Sequence, residues 1–506
     1  MQLLKFFSYI LGFFSNVFSL GVILAISLLF LDFMKRRKRW DHYPPGPPSL
    51  PFVGNILHVD FSNIHNNFRE LTKQYGDVFS LQYFWQNMVV LNGFEVMKEA
   101  LMQKSEDIAD RPRFPLFESL GITGNSKGVS LAHYGRAWQE QRRFTLTTLR
   151  DFGMGKKSLE ARVSEEAEFL CAEFQSLKGQ PFDPHFLLNT AVSNIISSIV
   201  FGDRFEYDDE KFNKLLRVFE DALKAESGFF AQVVSAIPCL RHIPGLVQKV
   251  FQPQVYMTAY VSGMISEQRN TWDPGYTRHF IDAFLLEMEK AKGDKDSSFN
   301  EKSLVVTTID LFTAGIETTT TTLRWALLFI ILYPEVQQKI HKEIDEVIGR
   351  NRKPTMADVL SMPYTNAVIH EVQRCGDIFP VAAHHMSYRN TEIGGYFIPK
   401  GTIVVTNLSS VLKDDRVWKK PLQFYPEHFL DEEGKFVKQA AFLPFSAGRR
   451  ACPGEHLSRM ELFLFFTTLL QSFTFLIPDK MPRPQESPVL AVTLCPQPFK
   501  LCAVVR

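Results

Sequence analysis

The chain opens on its least polar stretch. From Phe6 to Leu31 there are 26 residues and no charge, more than the about 20 that a membrane-spanning helix needs. Five basic residues follow in a row, Lys35 to Arg39, while only Lys5 precedes the apolar run. By the positive-inside rule the C-terminal side faces the cytosol. A cleaved signal peptide has a shorter apolar core, about 7–15 residues, behind a basic start, so the pattern predicts an uncleaved transmembrane anchor. "YPPGPPSLP" (Tyr43–Pro51) comes next. Prolines fix φ and favour extended, stiff chain, which predicts a rigid spacer.

Beyond Pro51 there is no Gly/Ser linker, low-complexity tract or internal repeat. That argues for one large domain, although single cores usually stop growing near roughly 250–300 residues. The expected organisation is an anchor over 1–33, a basic and Pro-rich linker over 34–51, and a single domain over 52–506. Asp77–Gly93 and Thr391–Ser410 read as strands separated by Gly, Pro and Asn turns. Most of the remainder has helical period. Ser303–Leu332 is apolar almost all round and stops before Pro334, which predicts a buried helix roughly 45 Å long. Glu455–Phe473 predicts a second buried helix.

Composition narrows the function. Lys+Arg 56 against Asp+Glu 55 leaves a formal charge of +1, without the basic excess of a nucleic-acid binder. Apolar residues make up 45%, with 46 phenylalanines, enough for a large core rich in aromatic area. The six cysteines form no CxxC pair and are scattered, which suits a reducing compartment and small buried hydrophobes. "GMGKKS" (Gly153–Ser158) lacks a P-loop's upstream glycine, with Arg150 there, and has Lys157 where Ser/Thr belongs. No GxGxxG follows a strand. Electrons handled by this protein must therefore come from a partner.

The sharpest local signal is "FSAGRRACPGE" (Phe445–Glu455). Cys452 lies just before a helix N-terminus, where free N–H groups and the positive dipole end favour a thiolate. Arg449 and Arg450 add positive charge, and Gly448 and Gly454 permit close approach or unusual φ. A nucleophile would need a nearby base, but His456 falls on the helix. An axial ligand to haem iron fits better, since thiolate ligation favours O–O cleavage.

"FSAGRRACPG" resembles the haem-binding signature FxxGxRxCxG of the cytochrome P-450 superfamily, with every fixed position present. The resemblance covers essentially the whole chain. It implies the cytochrome P-450 fold, mainly α with small β-sheets, and haem b (iron protoporphyrin IX) on Cys452. "EVQR" resembles the family's ExxR pair, Glu371 and Arg374, locked beneath the haem. "FYPEHF" resembles its PERF motif with His428 where arginine is common, leaving His428 as a weaker donor to Glu371. "WQEQR" resembles the WxxxR motif, implying that Trp138 and Arg142 bind a haem propionate; Arg450 and His385, or His384 in a shifted register, resemble further propionate contacts. "AGIETT" (Ala314–Thr319) resembles the oxygen-activation motif, with Glu317 and Thr318 as an acid–alcohol pair suited to passing protons. Thr318 to Thr322 are all threonine, and their hydroxyls can bend the helix and open room for oxygen and water.

"GDVFSLQ", "QRRFTLTTLRDFG" and "RMELFLFF", among other segments, look like family 2, subfamily D, membrane-bound monooxygenases of foreign lipophilic compounds, often basic amines. On the long helix Asp310, Ala314 and Glu317 share one face. The resemblance implies that Asp310 helps hold a cationic amine, with Glu226 as the outer carboxylate; equally, Asp310 could cap backbone N–H groups. The last loop carries Leu490 and Val492 where relatives often have phenylalanine, which predicts a shifted substrate range. The expected function is an NADPH/reductase-dependent haem-thiolate monooxygenase in the endoplasmic reticulum membrane. NADPH–cytochrome P-450 reductase would be its partner and cytochrome b5 a second candidate donor. Docking is expected on the Cys452 side, near Arg142, Arg143 and Arg449. The rivals are a reductase-independent isomerase or peroxygenase, and a non-enzymatic haem-binding protein.

Overall fold

The structure is a computed structural model, which describes all residues except 1–18, 33, 35–41, 52, 61–62, 85, 114–127, 154–156, 228, 238–239, 241 and 295. The first part of the predicted anchor, the basic cluster Lys35–Arg39 and Cys239 lie outside the described residues. Residues 19–32 are helical, and Leu20, Ile23, Leu24 and Leu31 expose most of their surface. Among the described residues no helix is long and apolar enough to cross a membrane.

The proline-rich stretch is attached to the body. The Ser80 amide donates to Pro45 O (2.7 Å) and its hydroxyl to Pro44 O (2.8 Å). Asn55 Nδ2 donates to the carbonyls of Pro47 and Pro48, each at 3.1 Å. A Cβ on Gly46 would lie 1.9 Å from Ser80 O, so only glycine lets the stretch lie this close. The expected stiffness is present, but the segment is laid against the first strand instead of standing free.

Helix α1 (Ile64–Tyr75) packs on the hairpin β1 (Val78–Tyr83) and β2 (Gln86–Leu91). Helices α2 (Arg136–Asp151), α3 (Lys157–Ser176), α4 (His185–Val200), α5 (Glu210–Ser227), α6 (Gln252–Asn270) and α7 (Phe280–Lys290) lead to the long α8 (Glu301–Leu332). Then come α9 (Pro334–Val347), α10 (Pro363–Gly376), the strands β3 (His385–Met386), β4 (Thr391–Ile393), β5 (Tyr396–Ile398) and β6 (Ile403–Thr406), and α11 (Glu455–Ser472). The chain closes with β7 (Phe473–Leu476), β8 (Pro488–Leu490), β9 (Leu494–Pro496) and β10 (Cys502–Val505). The two strand-rich segments seen in the sequence meet in one sheet, ordered β1-β2-β6-β3, with β2 and β6 parallel. Three two-stranded sheets complete a mainly helical molecule.

α8 is the axis of the core. Asn300 caps it by accepting from the Ser303 amide at 3.0 Å, and it ends before Pro334, which opens α9. Its 32 residues correspond to roughly 48 Å, and nearly all of those in its C-terminal half are buried. It packs on α4, α6, α10, α11 and β9. A Cβ on Gly315 would fall 2.5 Å from Ile196 Cδ1, so the missing side chain sets how closely α4 approaches. α8 is helical throughout; the opening expected at the threonine run is not seen. Four of the five hydroxyls find partners in different directions, while that of Thr320 is buried without one among the described residues. Thr318 and Thr322 donate back to the carbonyls of Ala314 (2.7 Å) and Thr318 (2.8 Å). Thr319 turns to Glu461 on α11, and Thr321 to the β8–β9 hairpin.

Candidate active site

The loop before α11 is wound tightly. Ser446 and Gly448 have φ of 58° and 74°. A Cβ on Gly448 would lie 1.8 Å from Leu101 O, so glycine is required there twice over. The Cys452 amide donates to Phe445 O at 3.0 Å and closes the loop. Cys452 is exposed by surface area yet surrounded by protein, so its sulfur faces an internal cavity. Burial pushes its thiol above the ordinary value; the backbone N–H groups of Gly454 and Glu455 and the charge of Arg142 work against that rise. The helix N-terminus acts as the sequence suggests, but the positive neighbour is Arg142, whose Nη2 donates to Ala451 O at 2.6 Å. Arg449 turns away to Glu106 (3.3 Å). All five described cysteines are free.

A cluster of cations lies beside this loop. Arg450 donates to the carbonyls of Ala109 (2.7 Å), Val129 (3.3 Å) and Ala132 (2.6 Å) and lies 4.0 Å from the centre of the Trp138 ring. Trp138 Nε1 donates to Val129 O at 3.0 Å. Arg111, which sequence reasoning missed, is buried and donates to Ala383 O and His384 O. Among the described residues, the carboxylate whose charge acts on both Arg111 and Arg450 is Asp110; burial disfavours its charge, but bonds from His133, Tyr134 and Arg111 outweigh that and hold it below its ordinary value. Burial, then Arg111 and Arg142, push Arg450 down to about 8. Burial and Arg142 push Arg111 down to about 10. His384 is driven down to about 4 by burial and Arg111, and His385 well below its usual value. His385 Nδ1 lies 3.0 Å from Ile108 O, so the neutral ring donates there. Arg111 and Arg450 share this carboxylate, and Arg142 adds a third positive charge beside them; such a cluster in the interior calls for further anionic charge, and the two propionates of a haem fit that need. The predicted donors Trp138, Arg142 and Arg450 are thus brought together, although their hydrogen bonds here run to backbone carbonyls.

Under the loop, Arg374 holds Glu371 with two bonds of 2.7 Å, both side chains fully buried. The remaining guanidinium N–H groups reach the carbonyls of Leu412, Pro421 and Gln423. His428 joins as the sequence suggests. Its Nε2 accepts from the Lys420 amide (3.1 Å), so the proton is on Nδ1, which donates to Glu371 at 3.2 Å. A neutral histidine thus completes the network where an arginine is common.

On the opposite side, α8 presents Asp310, Ala314 and Glu317. Ala314 is exposed although it lies mid-helix in the interior, which marks the cavity wall. Asp310 Oδ2 accepts from the amides of Val129 (2.8 Å) and Ser130 (3.1 Å). The capping role is therefore present. Burial still outweighs these bonds and pushes its carboxyl up to about 6. Glu226, near the end of α5, is raised by burial and by the charge of Asp310, so the two carboxylates share one environment. Glu317 and Thr318 are not bonded to each other: Glu317 Oε1 accepts from Thr493 (2.7 Å), while Thr318 donates to Ala314 O. Leu490 ends the half-exposed β8, and Val492 lies in the turn beyond it. Thr493 was missed as well; a single threonine in a loop carries no motif.

A cysteine at a helix start, an arginine cluster short of anionic partners and a polar turn within the buried helix α8 match the residue set of a haem-binding oxidase of the P450 type. The sequence matches the family profile described as Cytochrome P450 over residues 44–503, and the chain belongs to that family. Similar curated proteins are cytochrome P450 2D15 of the dog (Canis lupus familiaris), 2D6 of Homo sapiens and 2D14 of Bos taurus. Each is 55% identical over 489 residues, covering 96% of this chain and 98% of the relative. The protein is a haem b monooxygenase of lipophilic small molecules, with electrons from NADPH arriving through a reductase. The isomerase, peroxygenase and haem-carrier readings find no support among these relatives.

Proposed function

We propose that the chain holds its haem through the Cys452 thiolate and oxidises lipophilic amines, xenobiotic compounds among them, at a cavity walled by α8. When bound, the haem would supply activation of O₂, with one atom entering the substrate and the other leaving as water for two electrons and two protons. Arg450, Arg142, Trp138 and Arg111 would hold the propionates, replacing some of their present backbone bonds with charge-assisted ones. His385 would assist from the strand side. Glu371, Arg374 and His428 position the loop that carries Cys452. Glu317 and Thr318 handle protons on the opposite face.

What favours an amine is two acidic groups: Asp310, whose carboxyl burial pushes up to about 6, and Glu226, exposed at the surface yet raised by burial and by the charge of Asp310. A buried carboxylate is costly unless paired, and a cation between these two relieves that cost. An ion pair at about 4 Å and effective dielectric 20 is worth about 4 kcal/mol before desolvation. Ala314, Leu490 and Val492 supply apolar contact. The test is a spectral binding titration. Asp310→Asn should weaken a basic amine at least tenfold, about 1.4 kcal/mol, and leave its neutral isostere within about twofold. Equal losses would remove the ion pair from the account.

The membrane reading rests on the uncharged run, the basic cluster after it and the exposed apolar helix over 19–32. It places the anchor over 1–33 in the endoplasmic reticulum membrane, with the catalytic domain in the cytosol. NADPH–cytochrome P-450 reductase, with cytochrome b5 as a second donor, would dock on the Cys452 side. Arg143 is exposed there, whereas Arg142 is turned inward and Arg449 is paired.

A further inference from the structure

The proposed acid of the polar turn is tied to the substrate-side hairpin. Thr493 is buried, and its hydroxyl donates to Glu317 Oε1 at 2.7 Å. With its proton committed, the same oxygen accepts from Thr321 at 3.4 Å. The Cys495 sulfur lies 3.3 Å from the Thr493 hydroxyl and 3.8 Å from the carboxylate. Thr493 just before β9 and Cys495 within it thus meet at the carboxylate, with Thr321 of α8 behind them.

The rest of β9 is fixed. Trp325 Nε1 donates to Leu494 O at 2.8 Å, Arg324 to Pro496 O at 3.4 Å, and the Leu494 amide to Ile378 O at 2.8 Å. Its partner β8 is exposed at all three residues and ends on Leu490, and the turn over 491–493 carries Val492. The two strands are paired along their length, and Thr493, the last residue of the turn, links it to Glu317. A ligand pressing on Leu490 and Val492 therefore acts on the turn whose last residue carries the hydroxyl that holds Glu317. Meanwhile Thr318 is bonded to the helix backbone, so the acid and the alcohol are held apart.

We propose that Thr493 is a positioning residue: it holds Glu317 toward the hairpin until substrate contact on Leu490 and Val492 shifts the turn and frees the carboxylate to reach Thr318. This rests on Glu317 and Thr318 being the proton-handling pair. The device ties proton delivery to occupancy of the cavity, which limits wasted electrons.

Thr493→Val keeps the shape and removes the hydroxyl; Thr493→Ser keeps the hydroxyl. Each is made as the full-length holoprotein and again with Glu317→Gln. Losing one side-chain hydrogen bond predicts that Thr493→Val raises substrate-free NADPH consumption roughly threefold to tenfold, and that Thr493→Ser restores the original rate. With Glu317→Gln in place, Thr493→Val should add less than about twofold. Hydrogen–deuterium exchange, read without turnover, should speed up across 488–493 in Thr493→Val alone. If Thr493→Val changes neither exchange nor consumption while Glu317→Gln lowers turnover, the latch is wrong and the proton pair stands. If Glu317→Gln leaves turnover and pH profile intact, the proton pair itself fails. Fully additive effects of the two substitutions contradict the coupling.

Discussion

Asp310 shows how one side chain serves structure and chemistry together. One oxygen secures the amides of Val129 and Ser130, and burial leaves the carboxyl near 6. Its charge is therefore lost as pH falls through about 6 and gained as pH rises. A permanently cationic ligand should bind more tightly on going from pH 5.5 to 7.5, and Asp310→Asn should flatten that dependence; spectral titration measures both. His428 makes a second residue-scale case. His428→Phe leaves a Glu371 lone pair and the Lys420 amide without partners, at a cost of about 1–3 kcal/mol, read as a lower Tm of the holoprotein. The signature around Cys452 and the Glu371–Arg374 pair were legible in the sequence because short fixed spacings carry them. Arg111 and Thr493 were not, because their roles arise from contacts with residues 273 and 176 positions away, His384 and Glu317.

At the scale of elements, the buried helix α8 was legible to within two residues, since its apolar run and following proline are local signals; the Asn300 cap accounts for the earlier start at Glu301. Its partners were not. Gly315 reads as a helix weakness until α4 is seen against it. Gly315→Ala should cost about 1–3 kcal/mol by overpacking against Ile196, and adding Ile196→Ala should recover part of it; thermal unfolding of the two variants decides. The threonine run reads as poor helix composition, yet its hydroxyls knit α8 to itself, to α11 and to β9. Thr319 faces Glu461, a fully buried acid pushed up to about 8. Because the folded state keeps this proton and the unfolded chain releases it near its ordinary value, Glu461 makes stability fall as pH rises from about 4.5 toward 8. Glu461→Gln should preserve the bond to Thr319 and make Tm less dependent on pH over that range.

At the scale of the molecule, the sequence indicated one mainly helical domain but not which strands join. β2 and β6 pair in parallel across more than 300 positions of chain, and no local pattern encodes that. The proline stretch was read as a spacer because composition reports stiffness, not what the stiff segment lies on. What the whole fold accomplishes is to bring Arg142 and a helix start to one sulfur, with Arg111 and Arg450 beside them and the polar turn of α8 packed on the same core. The claim on which everything rests is Cys452 as thiolate ligand. It is tested most directly by the difference spectrum of the reduced protein with carbon monoxide, alongside Cys452→His. The account predicts the strongly red-shifted Soret band of a thiolate–iron–CO complex in the native chain and its loss in the variant. A native chain that binds haem but gives the band of histidine ligation, unchanged by Cys452→His, would contradict it.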